Sequence, residues 1–226
     1  MSGAIEGTEM ATFAKILLGL WMAAMLTYVF LILPPAAMFA SPELARIVAL
    51  HLPNAYVACI AAFMAGLYGW RYLARGRKPL DDARSASAAA LAALFCLLTT
   101  VTGSVFARVQ WGAFWNWDPR ETAVTMLLLV YAAYFVLRAS VEDPEKRAAV
   151  SAVYILFASV LTPMLGYVIP KMMMSLHPTN VHFDAPYRIG IYGTALGLLG
   201  ILFWLQNITV RFERVRLEVA ADSEDF

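Results

Sequence analysis

Charge is what this chain has least of. Asp, Glu, Lys and Arg make up 15% of its 226 residues, where a soluble domain carries about 25%. None of them, and no histidine, lies in the central part of any of six apolar runs, at about 13–33, 53–73, 87–106, 121–138, 149–169 and 189–209. Ionisable groups at mid-membrane mark ion and proton pathways, so their absence argues against an ion channel or a proton-coupled transporter working alone. Cysteine is almost missing too. Cys59 and Cys96 fall inside apolar runs and form no Cys-x-x-Cys, which argues against thiol redox chemistry. No Gly-x-x-x-x-Gly-Lys-Ser/Thr segment occurs, so any ATP hydrolysis is expected in a partner chain. A formal net charge of +1 gives no basic surface for nucleic acid. There is no internal repeat and no low-complexity tract.

Apolar residues fill the space that charge leaves: 61% of the chain is hydrophobic, with mean hydropathy +0.66. About 20 apolar residues at 1.5 Å rise cross a hydrocarbon core, and backbone groups in lipid must be paired within the segment. The six runs therefore predict an all-α polytopic membrane protein, one six-helix domain over residues 1–226. The first run is too long for a cleaved signal peptide and ends in Leu33-Pro34-Pro35 without a small-residue cleavage site. Of the 17 basic residues, Arg46, Arg108, Arg120, Lys171 and Arg188 fall on one side of the predicted membrane and the rest on the other. The positive-inside rule then places both termini in the cytoplasm. Three outer segments follow, at about 34–52, 107–120 and 170–188. Ser41 and Glu43 are expected to cap a short helix in the first, and the acidic C-terminal tail is expected to be a frayed, solvated end.

The second outer segment contains Trp111, Trp115, Trp117 and Asp118 in the run WGAFWNWDPR. Three indoles so close could form a flat shelf for a planar apolar ligand. They also suit a membrane-interface belt. All three histidines, His51, His177 and His182, lie in the outer segments. His51 precedes the second run and His177 sits in the third outer segment, so the two flank the tryptophans in sequence. Imidazole is a standard axial ligand for haem iron, and it is equally a common hydrogen-bonder at helix ends. Arg108, Arg120 and Arg188 suit carboxylates such as propionates, or lipid phosphates. Met172–Met174 read as apolar gap-fillers. Asp118-Pro119, with Glu121 three residues after the Asp, predicts an N-cap and a capping box opening the fourth helix.

The segment WGAFWNWD, the flanking outer histidines, the pattern His51-Leu52-Pro53-Asn54-Ala55, six spans and the chain length together resemble the WWD membrane proteins of cytochrome c biogenesis. Among these the chain is similar to the CcmC family over nearly all its length. That resemblance implies a subunit, not itself an enzyme, in a bacterial plasma membrane. It would bind non-covalent haem b at the periplasmic face and deliver it to the haem chaperone CcmE. CcmA, CcmB and CcmD would be its partners in an ABC-type complex. It implies His51 and His177 as the axial ligands, with Trp111, Trp115, Trp117 and Asp118 as haem platform and chaperone contact. His182 matches no position of the family. Phe114 stands where many members have a further tryptophan. The continuation Asp118-Pro119-Arg120-Glu121-Thr122 also resembles CcsA-type haem–cytochrome synthases, which are longer and carry further histidines. A permease subunit for a hydrophobic substrate and a purely structural subunit are the remaining readings.

Overall fold

The computed structural model describes residues 2–177 and 181–224, with side chains for 12–177 and 181–219. The regular structure among these residues is all helix, with no strand. The helices are α1 (Ser2–Thr27), α2 (Val48–Ala74), α3 (Pro79–Trp111), α4 (Pro119–Ser140), α5 (Pro144–Pro163), a three-residue α6 (Ile169–Lys171) and α7 (Ala185–Glu224). Six segments are long and apolar enough to cross a membrane: Thr12–Ile32, Leu44–Ala74, Pro79–Trp111, Pro119–Ser140, Pro144–Lys171 and Ala185–Val219. All six expected runs are helices.

Local sequence explains the breaks. α4 and α5 each open on Asp-Pro, where Asp118 or Asp143 accepts a backbone N–H as N-cap and the proline takes the first helical position. α3 closes on Gly112 at φ 85°, a left-handed cap that suits a residue without Cβ. α1 winds into a π-turn at Tyr28–Ile32 before Pro34 and Pro35, and α5 passes through Pro163 into another at Met164–Val168.

α2 sits at the centre, packed on α3, α5 and α7. Its contact with α3 is built of alanine: Ala58, Ala61, Ala62 and Ala65 meet Ala88, Ala89 and Ala92, all buried. On another side Gly66 and Gly69 admit Ser159 and Ile155 of α5 so closely that a Cβ at either glycine would collide with them. Lipid tails are as apolar as leucine, so helices in a membrane adhere by close backbone approach, for which small residues are needed. α1 is peripheral. Its chief helix partner is α7, where Gly193, Gly197 and Gly200 receive Met25, Met22 and Leu18, and the Trp21 indole donates to the Gly193 carbonyl at 2.8 Å.

At one end of the bundle Asp81 is buried between Arg71 and Arg84, and Arg138 of α4 grips Asp82 of α3 through two bonds of 2.7 and 2.9 Å. The segments 33–43, 112–118, 172–177 and 181–184 meet at the opposite end, here called the tryptophan end.

Three boundaries differ from expectation. α2 begins at Val48 after a 3₁₀ turn at Leu44–Ile47, so His51 stands on a helix and not in a loop. Pro53, the expected start, lies inside α2 as its sixth residue. Ser41 and Glu43 cap nothing: the 3₁₀ turn has no side-chain cap. The acidic tail is not frayed as far as Glu224, because α7 continues past the apolar run to that residue; Asp225, also assigned to the tail, lies outside the described residues.

Candidate functional site

Hydrogen bonds from side chains to backbone tie the tryptophan end together. The Gln110 amide, near the end of α3, pairs with both backbone groups of Ser41, accepting from its N–H at 3.0 Å and donating to its carbonyl at 3.1 Å. The Ser41 hydroxyl adds a bond to the Val109 carbonyl at 3.2 Å. This is the work Ser41 does in place of capping. Arg46 donates to the Phe30 carbonyl and Tyr28 to the Pro186 carbonyl, so α1, the first loop and the start of α7 are joined.

Asp118 is the hub of the site. The expected capping box is present: its Oδ1 accepts from the Arg120 N–H at 2.9 Å, and Glu121 Oε2 accepts from the Asp118 and Asn116 N–H groups at 3.2 and 2.7 Å. The same carboxylate, only 3% exposed, reaches across to the third loop. There it accepts from the Ser175 hydroxyl at 2.8 Å, the Leu176 N–H at 2.7 Å and His177 Nδ1 at 2.9 Å. Capping α4 and holding the third loop are thus one function of one side chain. Burial alone would raise the Asp118 carboxyl, but the donors Arg120, Ser175 and Leu176 outweigh it and hold the group below its usual range. Burial pushes His177 below the ordinary imidazole value, the opposing pull of Asp118 notwithstanding. A neutral His177 beside an ionised Asp118 must carry its proton on Nδ1, which leaves the Nε2 lone pair free.

His51 reaches the same state by different means. Its Nδ1 lies 3.1 Å from the Thr99 carbonyl and 3.2 Å from the Thr102 hydroxyl on α3. A carbonyl only accepts, so Nδ1 carries the proton and Nε2 is again free. The ring rests on Gly103, where a Cβ would come within 2.8 Å of its Cε1. The two imidazoles and the Arg120 guanidinium lie within electrostatic range of one another, and Arg120 has no carboxylate partner among the described residues.

The tryptophans do not form a flat shelf. Trp111 turns inward, edge-on to His177 at 4.8 Å between ring centroids and to Phe106 at 5.5 Å, and Phe39 extends the series. Trp115 and Trp117 pair with each other at an interplanar angle of 86°. Trp117 takes φ 57°, uncommon for a bulky residue, with its ring 78% exposed while the next residue, Asp118, is buried. Trp111 therefore buttresses a histidine, and the other two present edges to the surroundings.

Other candidates separate. Arg108 is committed to the Gly112 carbonyl and to the face of Phe114. Arg188 lies in an apolar groove between α1 and α7, away from the histidines. Met172–Met174 fill no gap; they are exposed. His182 lines a cleft of about 550 Å³ with Phe39, Phe106 and Trp111. Gly103, Thr99 and Ser175 escaped the reading of the sequence. For Thr99 and Gly103 the signal was the small, polar run Thr99-Thr100-Val101-Thr102-Gly103 near the end of an apolar span, about two turns of helix before Trp111.

Against known families, the profile described as heme exporter protein C matches residues 5–225. The heme exporter protein C of Bradyrhizobium diazoefficiens is 31% identical over 185 residues, covering 77% of this chain and 66% of that protein. Its counterpart in Paracoccus denitrificans is 30% identical over 183 residues, covering 78% and 76%. That of Escherichia coli K12 is 25% identical over 188 residues, covering 76% and 73%.

Proposed function

The chain belongs to the heme exporter protein C family, and we propose that it holds haem b at the tryptophan end between His51 and His177 and passes it on. One observation carries this reading. Both imidazoles commit Nδ1 to a fixed acceptor, and both leave Nε2 free at the same end of the bundle. Bis-imidazole ligation needs that protonation state on both sides of an iron. Among the described residues no group of three or more His, Cys, Asp or Glu gathers as an alternative metal site. Asp118 is a positioning residue here: it touches no ligand atom but fixes the ring that does. Arg120, a cation near both rings, suits a propionate. Trp111 shields the His177 side from water, and Trp115 and Trp117 offer apolar edges to the macrocycle or to an acceptor protein.

The relatives' name supports a role in haem export, and the same reading makes the haem chaperone CcmE the acceptor in cytochrome c biogenesis. CcmA, CcmB and CcmD would be the neighbouring subunits of an ABC-type complex supplying ATP hydrolysis. The tryptophan end faces the periplasm, because most basic residues flank the other ends of the spans. The chain itself catalyses no covalent step.

The test is the visible spectrum of detergent-purified protein expressed with its partners, alongside His51→Ala and His177→Ala. A Soret band with low-spin bands in the wild type, with the Soret band lost or shifted in both variants, is the expected result. Haem that is absent from the wild type, or indifferent to both substitutions, would return the tryptophans to an interface belt and favour a permease subunit.

A further inference from the structure

We propose that His182 is a third, exchangeable iron ligand, which takes the haem iron as His177 releases it, with the cleft beside it holding the porphyrin edge. The inference rests on the haem-binding reading above and assigns a route to the release step.

The cleft lies between the first and third loops. Met38, Phe39, Phe106, Trp111, Leu176 and His182 are among its lining residues, and its volume is about 550 Å³, within the range of small-molecule sites. Most of its lining side chains are apolar. Gln110 also borders it, but that amide is consumed by Ser41, so the His182 imidazole is the nitrogen ligand that the lining offers. The cleft adjoins the His177 seat directly. Trp111 stacks edge-on to His177, Leu176 precedes His177 in the chain and donates to Asp118, and both residues also line the cleft.

The three histidines differ in how they are held. His51 and His177 each have Nδ1 fixed by an acceptor. His182 is exposed, with no hydrogen-bond partner among the described residues. A locked imidazole suits retention, because the ring is already oriented for the metal. An unlocked one at a cleft mouth suits transfer, because it can turn to meet an arriving metal and turn away again. In the exchange the iron–Nε2 bond to His177 breaks and a bond from a ring nitrogen of His182 to iron forms. Each nitrogen contributes a lone pair, the iron keeps its oxidation state and no proton moves.

The experiment compares haem spectra and release in wild type, His177→Ala, His182→Ala and the double variant, all in the detergent-purified complex. Release is followed as the rate of haem transfer to excess apomyoglobin. The expected result is that His177→Ala keeps a six-coordinate low-spin signature through His182, which the double variant loses. His182→Ala should keep the wild-type spectrum while transfer slows by about tenfold. Identical spectra for His177→Ala and the double variant, with unchanged transfer in His182→Ala, would make His182 an ordinary solvated side chain and overturn the proposal. Should His177→Ala hold no haem, the transfer rate of His182→Ala decides alone. A wild type with bis-histidine haem but no effect of His182 leaves the haem reading standing; a wild type without haem removes both.

Discussion

Two seats at the same end of this molecule hold an imidazole in the same protonation state by opposite means. His51 stands on α2, its ring pressed on Gly103 and bonded to the Thr99 carbonyl, so two packed helices locate it. His177 stands on a loop and owes its orientation to a single carboxylate, Asp118, itself held by three other donors. The first seat is built chiefly of helix backbone, the second around one carboxylate side chain. Backbone in packed helices moves only with the bundle, whereas a loop anchored by one residue opens when that residue changes. A subunit that must grip a ligand and then surrender it gains from that asymmetry: one side stays, the other yields.

The largest effect should come from breaking the loop seat. Asp118→Asn keeps the shape and can still accept some bonds, but it removes the anion and the enforced tautomer. Outer partners of metal-bound histidines are worth about 10–100-fold in affinity, so haem affinity, measured by competition with apomyoglobin, should fall by that factor. His51 should remain bound in the variant's spectrum. Breaking the helix seat by Gly103→Ala places a Cβ within 2.8 Å of the His51 ring. Overpacking of this kind costs about 1–3 kcal/mol, and haem affinity should drop about tenfold with a shifted Soret band. An unchanged affinity would mean that α3 gives way and that the helix seat is no stiffer than the loop.

The smallest effect is titration. Burial holds His177 below the ordinary imidazole value of 6.5, so the neutral ring is favoured by folding. Its contribution is full above pH 6.5 and is lost as pH falls through the lowered value. Asp118, held below 3.8, contributes above that value and fails only in stronger acid. Nitrogen-15 imidazole spectra of the haem-free protein should therefore show His177 neutral at pH 7 and titrating below 6.5. A charged ring at pH 7 would mean that the Asp118 pair is a full ion pair, with no free lone pair on Nε2.

Much of this was legible in the residues. Six apolar runs without charge at their centres become six helices because lipid allows little else, and the spacing of Asp118 and Glu121 spelled the capping box. What was hidden is contact at long range. Nothing local says that Asp118 will meet His177, 59 residues away in sequence, or that a glycine in α3 will seat a histidine of α2. The start of α2 was misplaced because Pro53 suits a first turn, whereas the helix begins at Val48. The flat indole shelf failed because sequence proximity does not set ring orientation, which here follows the reversed backbone at Trp117.

The glycine stripe of α7 carries a consequence for biogenesis. α1 is made before α7, yet only 6% of its apolar window is buried, and the groove that accepts Met22 and Met25 belongs to α7. Until α7 is made, α1 must therefore wait in lipid without that partner, which its composition permits. Docking of α1 thus follows synthesis of α7, and a chain cut short before Gly193 would leave α1 adrift.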